Sequence, residues 1–140
     1  MNTLFVRSRN RDFLNACRRR VNALTDEGHA PQSVEHLYAV AEHVLTQQAK
    51  AYYVDYYRAC HILVDAVCKN TPPTAKYACS QVWVDMYHDL QDALKRHPTR
   101  PIRDLIFALC AGEIGHPRHY ITVRTARKII RNNLHKFVTL

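Results

Sequence analysis

"QAKAYYVDYYRACHIL", residues 48–63, decides how this chain folds. It sets four tyrosines at positions 52, 53, 56 and 57 before an apolar tail. A near-echo, "GHPRHYITVRTARKII", follows at residues 115–130. Tyr53-Val54 aligns with Tyr120-Ile121, Asp55 with Thr122, Ala59 with Ala126, and Ile62-Leu63 with Ile129-Ile130. The echo extends upstream. "SVEHLYAVAEHV" (33–44) aligns with "PIRDLIFALCAG" (101–112), and "FLNACRRRVNAL" (13–24) matches "WVDMYHDLQDAL" (83–94) in apolar pattern. Three segments thus recur in one order, at separations of 70, 68 and 67 residues. Ordered recurrence of this kind dictates architecture.

The repeated unit reads as three helices. Helix A covers about 10–25 and 75–96, helix B about 33–48 and 101–112, and helix C about 55–69 and 122–137. Trp83, Met86, Tyr87, Leu90 and Leu94 recur every three or four residues, the period of one helix face. Asp55 and Thr122 occupy equivalent N-cap positions, where a side-chain oxygen accepts from first-turn amides. "DEGHAP" (26–31), "NTPPT" (70–74) and "HPTRP" (97–101) supply the breaks. The expectation is an all-α, six-helix single domain, residues 1–140, built from pseudo-repeats 10–69 and 75–137.

Helix C differs between the copies. In the second, Val123, Ala126, Ile130, Leu134 and Phe137 form a core side, while Arg124, Arg127, Lys128, Arg131 and His135 line the other. Carried back 67 residues, those five become Tyr57, Cys60, His61, Val64 and Cys68. A helix apolar nearly all round is usually buried. The first helix C is therefore expected at the centre of the molecule, with the second facing solvent.

Composition sets outer bounds. The 140 residues include 3 Gly, 6 Pro and 47% hydrophobic residues, which suits one ordinary domain and excludes a disordered tail. No apolar run reaches the roughly 18 to 20 residues needed to span a bilayer, and "MNTLFVRSRNRDF" has its basic residues after the apolar patch, unlike a signal peptide. Five scattered cysteines (17, 60, 68, 79 and 110), with no C-x-x-C pair, read as core thiols in a reducing cytoplasm.

The formal charge of +8 is uneven: net +5 over residues 1–20, −3 over 21–69 and +6 over 70–140. Residues 116–140 contain six cations and no acid. Like charges stacked at three- and four-residue spacing repel, so such a stripe points to a polyanionic partner. The B–loop–C stretch over 101–137 resembles a helix-turn-helix DNA-binding module, although "GEIGHPRHY" (112–120) is longer than the usual turn. That resemblance implies a recognition helix whose Arg118, His119, Thr122, Arg124, Thr125, Arg127, Lys128, Arg131 and His135 meet nucleic acid. Arg18, Arg19 and Arg20 form a second basic cluster.

Other constellations are weaker. His116 and His119 flank a proline without nearby Cys or carboxylate, and Asp85, His88, Asp89 and Asp92 form a solvated face more readily than a metal helix. Neither a phosphate-cradling Gly loop nor a nucleophile elbow is present. "RNNLH" (131–135) resembles the Arg…His pair of all-helical HEPN ribonucleases, with three residues between the two where that family carries four to six. The expectation is a non-enzymatic nucleic-acid-binding protein without metal or cofactor, DNA ahead of RNA, and without a membrane partner. A helical scaffold meeting an acidic protein surface or a second copy is the alternative, and a ribonuclease using Arg131 and His135 the third.

Overall fold

The computed structural model of the chain describes residues 3–73 and 80–137, and every regular element among them is helical. The elements are α1 (Thr3–Asp26), α2 (Val34–Leu45), α3 (Tyr56–Lys69), α4 (Ser80–Arg96), α5 (Ile102–Cys110) and α6 (Val123–Asn132), with a single 3-10 turn at Leu134–Lys136. Gln48 and Arg118 make one isolated antiparallel bridge, and the described residues contain no strand. α1 begins earlier than the apolar pattern alone indicates, since no Gly or Pro interrupts the chain before Gly28. Residues 75–79, expected to open the second helix A, lie outside the described residues. The second helix C is not continuous to 137. Asn133 bends its side-chain amide back to Ile129 O at 2.7 Å, and α6 stops there.

Local chemistry sets the helix ends. Ser33, Asp55 and Thr122 each cap a helix by accepting from the amide three residues on, at 3.2, 2.9 and 3.1 Å. α3 ends on Asn70 in the left-handed region (φ 50°), with Thr71 N–H donating to Ala66 O. α5 ends the same way on Gly112 (φ 76°). A Cβ there would also collide with the Lys50 carbonyl oxygen, so no other residue fits.

Helix packing divides the chain into two units, and they are not the two sequence repeats. One holds α3, α4 and α5 (Ala49–Pro117, with the start of α1 up to Phe5); the other holds α1 from Val6, α2 and α6. In the first, α3 packs on both α4 and α5, and α4 packs on α5; in the second, α6 packs on α2. The expected pseudo-repeats 10–69 and 75–137 do not coincide with the two units: α3 groups with α4 and α5, and α6 with α1 and α2. The segment before α3 permits this, because its ten residues (46–55) reach up to about 33 Å when extended. α5 and α6, the two helices of the helix-turn-helix expectation, fall in different units.

The α3–α4–α5 unit buries Ala59, Ile62 and Leu63 of α3, Trp83, Met86, Tyr87 and Leu90 of α4, and Leu105, Ile106 and Leu109 of α5. Its loops are tied to α4 through Asp89, which accepts from the Tyr52 hydroxyl and, at 2.8 Å, from His116 N–H. Asp89 thus holds structure, and Asp85 accepts from the Gln81 side chain. In the other unit Phe13, Leu14 and Cys17 of α1 join Leu37, Val40, Ala41 and Val44 of α2 and Ala126, Ile129, Ile130 and Phe137 of the C-terminal segment in one core. Burial pushes the Cys17 thiol up to about 12, so it stays protonated.

The expected burial of the outer α3 face is also corrected. Tyr57 is 78% exposed, His61 and Cys68 are exposed, Val64 is half-buried, and only Cys60 is buried. The buried positions of α3 are 59, 60, 62, 63 and 66, one stripe with 57, 61, 65 and 68 outside it. α4 and α5 both pack on α3, and the buried residues of α3 keep to that one stripe despite the apolar character of some outer positions.

Candidate nucleic-acid interface

α6 is built to show cations. Its inner positions Ala126, Ile129 and Ile130 are buried in the core with α2, which leaves Arg124, Arg127, Lys128 and Arg131 exposed. His135 is exposed on the 3-10 turn. Val123, expected on the core side, is 45% exposed instead.

The four α6 cations are not equivalent. Arg127 Nη2 donates to Glu42 Oε1 of α2 at 2.9 Å, and its guanidinium carbon lies 5.4 Å from the Tyr38 ring centroid. That arginine is partly neutralised and held down. Among the described residues, Arg124, Lys128 and Arg131 have no carboxylate within 4.0 Å. They run at steps of four and three residues, about 10 Å along the α-helix axis.

The flanking candidates fall into separate roles. Thr122 Oγ1 accepts the Thr125 amide and donates to Thr125 Oγ1 at 3.0 Å, so both hydroxyls serve the helix start first. Arg118 is exposed. His119 is turned inward, with its ring edge-on to Phe13 at 5.5 Å between centroids. Burial, then the neighbouring Arg19 charge, lowers its pKa from the ordinary histidine value, with Asp12 pulling weakly the other way. The inward ring of His119 thus stands apart from the exposed α6 cations. Arg9 Nη1 donates to Tyr120 O at 3.2 Å and pins the same loop to α1.

Arg18, Arg19 and Arg20 do not form one patch. Consecutive helical residues point about 100° apart. Arg18 and Arg19 are exposed, Arg19 close enough to His119 to act on its titration. Arg20 is half-buried in a cavity between α1 and α2. Counted by unit, the segregation is sharp. The α1–α2–α6 unit has twelve basic and five acidic residues, net +7; the other has eight basic and seven acidic, net +1.

Two features escaped the sequence. One is the outer α3 strip, where Tyr57 stands beside Tyr56, whose ring also meets Phe107 of α5 (57% exposed) at 5.7 Å. The other is the Arg20 cavity, whose signal was the His36…His43 spacing of seven on α2. Among the described residues no group of three or more metal donors is gathered, and no helix is long and apolar enough to cross a membrane. No protein-family model, curated protein or solved structure matches this chain.

Proposed function

We propose that the α1–α2–α6 unit binds nucleic acid without catalysis, DNA ahead of RNA, through Arg124, Lys128 and Arg131, with Arg118 and Arg19 as further exposed cations of the same unit. The observation that carries this is the sorting of charge: +7 lies in one unit and +1 in the other, and three α6 cations have no carboxylate partner among the described residues. Polyanion affinity of this kind comes from counterion release, with a log–log salt slope of about 0.9 per duplex phosphate neutralised. The test is fluorescence anisotropy with a labelled DNA duplex and its RNA counterpart over a salt series. Salt-insensitive binding, or none, removes the proposal.

The chain is further read as an internal duplication. Reciprocal membership supports this: each unit takes helices A and B from one stretch and C from the other, and Asp55 and Thr122 cap α3 and α6 at matching positions. A protein partner is the second functional reading, favoured by the exposed Tyr57 and Phe107 on the nearly neutral unit.

A further inference from the structure

We propose that the cavity between α1 and α2 binds a phosphate monoester carried on an apolar or aromatic body, as in a nucleoside monophosphate or the terminal nucleotide of a strand. The cavity measures about 330 Å³, at the small end of ligand pockets. Its polar lining is Arg20, His29, His36 and His43, and its apolar lining includes Leu24, Pro31 and Val40. Helical spacing brings these together: Arg20 and Leu24 are one turn apart on α1, and His36, Val40 and His43 follow one another along α2. Between them the chain reverses at Gly28, His29 N–H donates to Leu24 O at 2.7 Å, and Pro31 is buried.

Two facts point to an anion. Among the described residues no acidic side chain lines the cavity and half-buried Arg20 has no carboxylate within 4.0 Å, whereas Arg127 and Arg11 each have one. A guanidinium partly withdrawn from water without a counter-charge is costly, and a phosphate offers its fork a bidentate match. His36 Nδ1 accepts from Gln32 N–H at 3.1 Å, so Nε2 carries the ring hydrogen and can donate to a ligand. The apolar side then suits a base or similar ring. The free-nucleotide form is independent of α6; the strand-end form rests on the nucleic-acid reading above.

The test is calorimetric titration of the full chain with AMP, adenosine and inorganic phosphate. AMP binds saturably, and each half-ligand binds at least tenfold more weakly. Arg20→Gln and, separately, His29→Ala each weaken AMP binding, the former at least tenfold, with unchanged thermal unfolding. Arg7→Gln/Lys136→Gln, which removes two exposed charges from the same unit, leaves AMP affinity intact. The idea is overturned by AMP binding no better than phosphate, by indifference to Arg20→Gln, or by an equal loss in the Arg7/Lys136 variant. Oligonucleotides with and without a 5′-phosphate identify the source: a preference for the phosphorylated end supports the strand form, and equal binding assigns the site to free mononucleotides. Oligonucleotide binding without AMP binding removes the cavity proposal alone, and the converse removes the α6 proposal alone.

Discussion

Set side by side, the two units put opposite chemistry on matching helices. α6 shows solvent Arg124, Lys128 and Arg131; at the positions 67 residues earlier, α3 carries Tyr57, His61 and Val64. Both helices start from a side-chain cap and bury the same inner stripe, Ala59, Ile62 and Leu63 in one and Ala126, Ile129 and Ile130 in the other. They end differently, and they differ most in what the outer positions are made of. The difference teaches that the inner stripe fixes a helix in place, while the outer face is free to vary, cationic in one unit and partly apolar in the other.

The largest expected effects separate inner from outer positions. Leu63→Ala and Ile130→Ala, both at fully buried sites, should each cost about 2–5 kcal/mol in chemical denaturation. Tyr57→Asp should stay within about 0.5 kcal/mol of the parent, because its side chain is already in water. If Tyr57→Asp unfolds the chain as readily as Leu63→Ala, the two helices do not share the arrangement described.

Next in size is the binding contrast. Arg124, Lys128 and Arg131 replaced together by Gln should weaken duplex binding at least tenfold and flatten the salt slope by about 2.7, three contacts at about 0.9 each. Replacing Arg58, Lys69 and Arg103 of the nearly neutral unit in the same way removes equal charge and should leave affinity within about twofold. Equal losses would mean that net charge alone, and not the α6 arrangement, governs affinity.

Much of this contrast was legible in the residues, and the limits are physical. Helix periods, Asp55 and Thr122 as caps, and the exposure of the α6 cations all depend on neighbours within a turn or two, which sequence spacing reports directly. Which helices pack together depends on long-range choice. The ten residues before α3 allow it to join either pair, and no local signal distinguishes them. The fate of Tyr57 and Val64 followed from that choice, so apolar content was read as burial where it marks an exposed face. Likewise Glu42, 85 positions from Arg127, neutralises one member of a stripe that appeared free of acids.

A smaller effect tests that ion pair. Arg127→Gln should cost about 0.2–1 kcal/mol, and a double-mutant cycle with Glu42→Gln should recover a coupling within that range, reduced by high salt. Arg124→Gln, with no such partner, should show no coupling to Glu42.

The smallest expected effect lies in the loops that lead into the two matched helices. Sixty-seven residues before His119 stands Tyr52, buried and donating to Asp89, a residue type that does not titrate between pH 5 and 8. His119 does titrate, and burial against Phe13 together with the Arg19 charge lowers its folded-state pKa below about 6.5, the ordinary unfolded value. Above about 6.5 neither state holds the proton and the full packing stability is present. As pH falls from there through the folded-state pKa, the unfolded chain binds a proton that the folded chain resists, and stability declines. Thermal unfolding of the parent and His119→Gln from pH 7.5 to 5 should therefore show the parent's advantage shrinking on acidification. Arg19→Gln should raise the His119 pKa, read from its imidazole NMR shifts, and make the decline smaller, ending at a higher pH. An advantage that grows as pH falls would place His119 with a carboxylate and outside the Phe13 contact.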